Sequence, residues 1–481
     1  MRSATLREQP VSSKKSSFRR WFRVVIGALL IGSLISENPF LSLACLGTLI
    51  FIWIGTMQNP IQMIFAAYLS FQWLQVTMKL LIANFLSINL ETPQLVEFGN
   101  NVKLQVSETT PLAMLLGLSC VLAISFGFRV LGPRIKNFHL QIGGLSSQRL
   151  AIIYFCLWLV SLLAGPYAGG GFAQFLIVLG WMRFVPLTLL AFQWLSRSSG
   201  SLWLFAVIAT EVVTGFLGYF SGFRNVFFIL GVAVLTLRNA LERRAIKSLF
   251  VGFIAVLILG SFWTAIKPAY RIALNLGSTK QAVEIGVSNQ IELLITMAGH
   301  FGFDSFKEGF FGLLVRISYI DYLEDVLRRV PASVPFQDGA LWGEAFSNLK
   351  PRILFPDKGV LASDSERTMA FTGHNLASTQ EGTSISVGYV ADGYIDFGMS
   401  GTLIVSILLG LLYGLMARHI VSLNRTHEFS ATIAVLVVLY FPVQQFEVSN
   451  VKLLGGIIWQ WIGCVIFIRY VWPSLSRFCS R

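Results

Sequence analysis

The sequence predicts an all-α polytopic membrane protein with about twelve transmembrane helices and one large, mainly helical extracytoplasmic loop domain. Hydrophobic residues make up 54% of its 481 residues and charged residues only 13%, whereas soluble domains carry roughly 25% charged residues. Apolar runs also recur along the chain, each of about 17–25 residues and long enough to cross a hydrocarbon core about 30 Å thick. The predicted spans are 22–37, 39–57, 61–88, 111–131, 150–165, 173–195, 202–221, 223–238, 248–266, 397–418, 429–446 and 451–471.

A single long polar segment separates two blocks of predicted spans. The resulting parts are a basic cytoplasmic tail, transmembrane helices 1–9, an extracytoplasmic loop domain, transmembrane helices 10–12 and a second cytoplasmic tail: 1–21, 22–266, 267–396, 397–471 and 472–481. The sequence leaves open whether 22–37 and 39–57 cross separately, and likewise 202–221 and 223–238. The cysteines all lie outside 267–396, so no disulfide framework is expected in the loop domain.

The distribution of Lys and Arg predicts the orientation. Residues 267–396 hold 11 Lys/Arg and 15 Asp/Glu, a balance of −4, and the remaining residues carry +17, which together give the net charge of +13. The positive-inside rule therefore places both termini in the cytoplasm and the loop domain outside. The basic N-terminal tail is expected to be attracted to membrane lipids. Nucleic acid is not expected as a partner, because no basic–aromatic binding module is present.

The loop domain is predicted to be mainly helical. Apolar periodicity favours helices over 288–299 and over 305–330, and Ser305 with Glu308 fits a capping box for the second helix. Short helices are predicted over 341–348 and 363–371, with a rigid turn between Pro351 and Pro356.

Several segments of the second half resemble the bacterial oligosaccharide repeat unit polymerases, the Wzy-type O-antigen polymerase family. The resemblance covers roughly residues 200–420, and the early spans are similar only in hydropathy. One departure is that Asp392 stands where the family pattern has Glu. The segments are Ser221-Gly222-Phe223-Arg224-Asn225, Leu314-Val315-Arg316-Ile317-Ser318, Asp338-Gly339 through Pro351-Arg352-Ile353-Leu354-Phe355-Pro356-Asp357-Lys358, and Gly388 to Gly401.

The resemblance implies a membrane glycosyltransferase of the bacterial inner membrane. Such enzymes move a growing glycan from its polyprenyl-diphosphate carrier onto the next lipid-linked repeat at the outer face, and build O-antigen, capsule or exopolysaccharide. The implied partners are a polyprenyl-diphosphate-linked oligosaccharide, membrane lipids, a chain-length regulator and a flippase. No cofactor is expected, and the sequence has no DxD or other metal signature, so metal-independent transfer is predicted.

The chemistry needs cations for the diphosphate leaving group and a polar group for the acceptor hydroxyl. Arginine suits the first task because it stays charged and binds phosphate oxygens in a fork. The predicted diphosphate and glycan-binding residues are Arg224, Arg271, Arg316, Arg352 and Lys358. The predicted catalytic residues are Asp392, His374 and Tyr394, with Glu344 and Asp338 as further candidates.

These residues also have structural interpretations. Arg224 at the end of a span fits a snorkelling side chain, and Arg316 fits an ion pair with Asp321 or Glu324. Asp392 fits a carboxylate that caps the N-terminus of the span that follows it.

Lys79, Arg183 and Glu211 are charged residues predicted inside spans. Counting from the predicted outer ends, they share a depth of roughly 14–16 Å. Intramembrane charges are costly and tend to pair or to line a polar cavity. We therefore predict an Arg183–Glu211 pair between neighbouring spans, with Lys79 near it or facing a lipid-diphosphate groove.

Other function classes remain open at this point. Many spans with a cluster of charges inside the membrane also fit a secondary transporter or a flippase of lipid-linked glycans. A ligase that hands the polymer to a lipid core or to a protein shares the donor chemistry and differs in its acceptor. A scaffold in an export complex is a further, purely structural alternative.

Overall fold

The computed structural model describes residues 24–56, 59–98, 102–135, 144–164, 173–197, 200–236, 243–278, 283–350, 355, 362–375, 384–424 and 429–480. Within them the chain is mostly helical. In these ranges five helices are long and apolar enough to cross a membrane, and they span Thr110–Leu131, Phe175–Ser196, Ala245–Leu274, Tyr389–Ser422 and Asn450–Ser480. The protein is therefore assigned to the membrane proteins.

The first half of the chain forms helices α1–α9 and one β-hairpin. Their bounds are α1 Val24–Leu34, α2 Pro39–Trp53, α3 Pro60–Phe85, β1 Gln94–Glu97, β2 Lys103–Val106, α4 Thr110–Leu131, α5 Ser147–Ala164, α6 Ala173–Trp181, α7 Phe184–Arg197, α8 Ser201–Phe216 and α9 Arg224–Thr236.

The second half forms helices α10–α19. Their bounds are α10 Arg243–Leu274, α11 Val287–Gly299, α12 Phe303–Ile317, α13 Asp321–Arg329, α14 Ala340–Asn348, α15 Asp364–Thr372, α16 Tyr389–Ser422, α17 Phe429–Leu439, α18 Asn450–Ile466 and α19 Trp472–Ser480. A 3₁₀ turn (Phe441–Gln444) follows α17, and a π-helical stretch (Phe467–Val471) joins α18 to α19.

Each predicted apolar run overlaps a helix in the described residues, but 173–195 holds two helices, α6 and α7, and α17 covers only the first part of 429–446. The all-α prediction also needs one correction. Strands β1 and β2 pair as an antiparallel hairpin, with Gln94 opposite Val106 and Glu97 opposite Lys103. Burial alternates along both strands, which is the period of a half-buried strand. This alternation in a short polar segment is the signal that the sequence interpretation missed.

The predicted helix over 305–330 is wrong in its length and in its cap. It is two helices, α12 and α13, and α12 begins at Phe303 after the N-cap Gly302, so Ser305 lies inside the helix. The chain leaves the helical path at Tyr319, whose backbone N–H donates to the carbonyl of Gln75 in α3 at 3.1 Å. A hydrogen bond to a distant helix thus replaces the next helical turn. The predicted helices over 288–299, 341–348 and 363–371 are confirmed as α11, α14 and α15, the last with a Ser363–Glu366 capping box.

The polar segment packs into the helix bundle. Ile320, Leu323 and Val326 belong to the same buried apolar cluster as the cores of α3, α4 and α16. A second, smaller cluster joins the α8–α9 turn to α10 through Phe216, Phe223 and Trp263, among others. The segment also lacks clear edges, because α10 continues to Leu274 and α16 already begins at Tyr389.

Helices α4 and α16 approach each other through glycines. A Cβ atom at Gly410 would overlap the carbonyl of Ile124, one at Gly127 would overlap that of Ile407, and one at Gly414 would lie 2.8 Å from the backbone nitrogen of Gly132. Small residues allow membrane helices this close an approach. Further towards its N-terminus, α16 is kinked at Gly398, which has φ +64°, a conformation that favours glycine.

Candidate functional site

Basic side chains from three helices meet at one end of α9, α10 and α12. Arg224 is the first residue of α9. Lys267 and Arg271 lie in the last turns of α10, and Arg316 lies in the last turn of α12. Helices α9 and α12 both pack against α10, so residues far apart in the sequence are brought together. We call these residues the cation cluster.

The members of the cation cluster interact electrostatically with one another. Burial lowers the pKa of the Arg316 guanidinium, and the charge of Arg224 lowers that pKa further. The positive charges of Arg316 and Arg271 also repel the ammonium of Lys267. Among the described residues, none of the basic groups of Arg224, Lys267 and Arg316 forms an ion pair with a carboxylate. The cluster therefore holds like charges together without an ion-paired carboxylate in that part of the chain.

Arg271 is fixed by the α8–α9 turn. Its Nε donates to the carbonyl of Tyr219 at 3.2 Å, and its guanidinium lies 4.3 Å from the centre of the Tyr219 ring. Such cation–π contacts hold a guanidinium without neutralising it. Arg271 therefore keeps its positive charge beside the rest of the cation cluster.

The position of Arg224 gives the cluster a second anion-binding element. A helix N-terminus carries a partial positive charge and unpaired backbone N–H groups, so it favours anions and disfavours a cation. Arg224 stands at the N-terminus of α9 and is exposed. Its charge adds to the positive potential there, and an anion of high charge density fits such an arrangement.

One carboxylate, Glu447, faces the cation cluster. It lies in the irregular stretch between α17 and α18, where the side-chain Nε2 of Gln75 donates to its Oε2. Its charge raises the pKa of Arg316, opposing the effect of burial. The Tyr319 hydroxyl is close to both: burial raises its pKa, and the charges of Tyr322 and Glu447 raise it further, while Arg316 lowers it.

Asp392 and Asp396, in the first turns of α16, both accept backbone hydrogen bonds from other helices. Asp392 is 1% exposed, and its Oδ2 accepts from the N–H of Asn450 at the start of α18 at 2.9 Å. Asp396 accepts from Leu341 and Trp342 at the start of α14, at 3.1 and 2.8 Å. The structural interpretation is therefore wrong about the helix, because Asp392 lies within α16 and contacts the start of α18 instead of capping the span that follows it.

The remaining predicted catalytic residues lie in separate contacts. Tyr394 is buried, and its hydroxyl donates to the carbonyl of Val330 at 3.1 Å. His374 Nε2 lies 2.6 Å from Asp325 Oδ2 on an exposed part of α13. Glu344 accepts from the buried Arg367, and Asp338 is exposed.

Of the predicted diphosphate-binding residues, the structure brings together Arg224, Arg271 and Arg316. Arg352 and Lys358 lie outside the described residues. Within those residues, no group of His, Cys, Asp and Glu side chains is arranged to hold a metal ion.

The charged residues predicted inside spans are paired. Arg183 Nε lies 2.6 Å from Glu211 Oε1, as predicted, and the Tyr154 hydroxyl donates to the same oxygen at 2.6 Å. Lys79 has other partners than expected: its Nζ contacts Asp321 at 2.5 Å and Glu324 at 2.6 Å. Lys79 thus joins α3 to α13, and its predicted place beside the Arg183–Glu211 pair or a lipid groove finds no support in these contacts.

The sequence interpretation missed Lys267, Tyr319 and Glu447. The hydropathy pattern places Lys267 at the boundary of a span and Glu447 in a connection between two spans. The available signal was the polar run Gln444-Gln445-Phe446-Glu447, which interrupts an otherwise apolar stretch. Polar residues at membrane depth tend to mark a functional cavity.

A family model described as "Domain of unknown function (DUF8712)" matches residues 58–469 of the chain. The match therefore includes the cation cluster and Glu447. Comparisons with curated proteins and with solved structures give no match.

Proposed function

We propose that this chain, which belongs to the DUF8712 family, is a membrane glycosyltransferase that polymerises polyprenyl-diphosphate-linked oligosaccharide repeat units at the outer face of the bacterial inner membrane. The observation that carries this proposal is the cation cluster, in which Arg224, Lys267 and Arg316 form no ion pair with a carboxylate among the described residues. Like charges held together destabilise a free protein. An anionic substrate would offset this cost.

A diphosphate has the chemistry that suits the cluster. Arginine binds phosphate oxygens through parallel N–H donors, and lysine adds a compact point charge. The N-terminus of α9 adds backbone N–H groups of the kind that bind phosphate. As the glycosidic bond to the carrier breaks, charge develops on the leaving diphosphate, and fixed cations stabilise that charge in the transition state.

The surroundings of the cluster favour a lipid-linked diphosphate over a soluble one. Helix α10, which carries Lys267 and Arg271, has only 17% of its most apolar stretch buried. Exposed apolar side chains such as Phe250, Phe253 and Ile258 lie along it. A polyprenyl tail that packs against α10 would bring its diphosphate to the cluster at the end of the same helix.

The test is the lipid-linked glycan profile of a strain that lacks the protein and is complemented with variants. We expect single repeat units to accumulate on their lipid carrier at the outer face, both without the protein and with Arg316→Ala or Arg224→Ala at normal membrane levels. Arg328→Ala is the matched control, because Arg328 lies in the same segment but pairs with Asp325 on the surface. This variant should restore full polymer.

Other outcomes would assign another function. Repeat units trapped at the cytoplasmic face would make the protein a flippase. Full-length polymer retained on its lipid carrier would make it a ligase. Polymer restored equally by Arg316→Ala, Arg224→Ala and Arg328→Ala would remove the cation cluster from the mechanism.

A further inference from the structure

Glu447 lies where the chain breaks inside an apolar region. Helix α17 has 11 residues, or about 16 Å, which is roughly half of a hydrocarbon core about 30 Å thick. The chain then passes through a 3₁₀ turn and an irregular stretch before α18 begins at Asn450. Non-helical backbone at membrane depth is tolerated where it is buried in protein or lines a water-filled cavity. Glu447 is half-buried in this stretch.

Two glutamines of α3 hold the break in place. Gln72 donates to the carbonyl of Val443 and accepts from the Tyr389 hydroxyl at 2.7 Å. Gln75 accepts from the N–H of Phe446 at 2.8 Å and donates to Glu447 Oε2. The position of the Glu447 carboxylate is thus fixed by α3.

One oxygen of this carboxylate is left for a substrate. Oε2 accepts from Gln75, whereas Oε1 accepts no hydrogen bond from any other residue in the described ranges. Glu447 also forms no ion pair there, although its charge acts on both Arg316 and Tyr319. A held carboxylate with an open oxygen, next to cations, is the arrangement of a general base beside an anion site.

We propose that Glu447 is the catalytic base that takes the proton of the acceptor hydroxyl. This inference rests on the proposed function. In the step, a bond forms between the acceptor oxygen and the anomeric carbon of the donor glycan, and the bond from that carbon to the diphosphate oxygen breaks. The hydroxyl proton passes to Glu447, and the bonding electron pair leaves with the diphosphate, held by the cation cluster. Glu447 then returns its proton to water.

Asp392 and His374, the two residues that the sequence favoured as the base, are engaged in other contacts. Asp392 is enclosed and bonded to the start of α18, and His374 is bonded to Asp325 on the surface. Neither residue shows an electrostatic effect on Arg316, whereas Glu447 does. The groups that face Glu447 are Arg316 of α12, Gln75 of α3 and Tyr319 of the α12–α13 connection.

The test uses the full-length purified protein and lipid-linked repeat units isolated from the strain that lacks it. We compare wild type, Glu447→Gln and Glu447→Asp, with the same measurements on Arg316→Ala. The isosteric Glu447→Gln variant keeps an oxygen that accepts from Gln75. We expect it to lose about 100-fold or more in polymerisation rate, the range of general base catalysis, and to bind polyprenyl diphosphate as wild type does. Glu447→Asp, which keeps a base, should recover part of the rate.

The pH–rate profile distinguishes a catalytic role of Glu447 from a structural one. The wild-type rate should fall at acid pH, because a carboxylate base must be ionised to accept a proton, and this acid limb should be absent from the residual activity of Glu447→Gln. Wild-type rate in Glu447→Gln would overturn the assignment while leaving the proposed function intact. Loss of both rate and polyprenyl diphosphate binding would make Glu447 a structural residue. An inactive wild-type protein would instead reject the proposed function itself.

Discussion

The ammonium of Lys79 lies 2.6 Å from Glu324 Oε1, and this contact joins α3 to α13 across 245 residues of chain. Lys79 is fully buried and the Glu324 side chain is 4% exposed. Ser107 donates to the second carboxylate oxygen at 2.7 Å, so the segment after the hairpin is tied to the same point. The ion pair therefore anchors the polar segment on the helix bundle.

Replacing Lys79 with Met should make stability strongly pH-dependent. Burial raises the pKa of Glu324 from its ordinary value of 4.5, and Lys79 opposes that rise. A carboxyl group whose folded-state pKa is raised stabilises the fold below its unfolded pKa and loses that contribution as the pH rises through the folded pKa. Lys79→Met raises the folded pKa further and leaves a buried unpaired charge at neutral pH, which costs about 3–5 kcal/mol.

The measurement is thermal unfolding in detergent between about pH 5 and about pH 8. Lys79→Met should lose stability relative to wild type as the pH rises. The double variant Lys79→Met with Glu324→Gln should lose that dependence. An equal pH dependence in the single and double variants would contradict the role of Glu324.

The Arg183–Glu211 pair should behave as a unit. Glu211→Ala removes the acceptor of both Arg183 and Tyr154, and breaking such a pair costs about 3–5 kcal/mol. Reversing the charge of Glu211 alone should destabilise the protein at least as much. Reversing both residues together should restore part of the stability in a thermal melt. If the double reversal unfolds at the same temperature as the single reversal, the Arg183–Glu211 pair does not contribute to stability.

Lys267→Met should raise the stability of the protein and lower its affinity for polyprenyl diphosphate. Removing one charge from a cluster of like charges should raise the unfolding temperature of the free protein. The same change should weaken polyprenyl diphosphate binding by about tenfold or more, the loss expected for a charged hydrogen bond. Lys307→Met on the exposed surface of α12 is the matched control and should change neither. Reduced stability with unchanged binding in Lys267→Met would argue against an anion site.

Gly410→Ala should destabilise the protein, although alanine is the better helix former. The added methyl group would meet the Ile124 carbonyl of α4, so the two helices must separate. Gly231→Ala in α9 is the control, because a Cβ atom there meets nothing within 4 Å; it should be neutral or stabilising by up to about 1 kcal/mol. Equal thermal unfolding of the two variants would show that α4 and α16 can part at little cost.

The sequence predicts the helices well because local patterns encode them. The apolar runs and the Ser363–Glu366 capping box both lie within one element. The break at Tyr319 has no such local signal, because it follows from a hydrogen bond to Gln75. The candidate site is predictable only in part, for the same reason. Arg224 and Arg316 belong to resembling motifs, whereas Lys267 and Glu447 join them only through packing of α9, α10, α12 and the α17–α18 break.

The glycine contact between α4 and α16 also constrains the order in which the protein is assembled. The contact involves Gly127 of α4 and Gly410 of α16, and about 260 residues separate these two helices in the chain. At synthesis rates of about 5–20 residues per second, α4 waits roughly 13–50 s for its partner. During that time only lipid, helices made before α16 or chaperones can cover the Ile124 carbonyl face of α4. The early helices are therefore expected to remain an unfinished bundle until α16 is inserted, and chains that stop before α16 should be recognised and degraded.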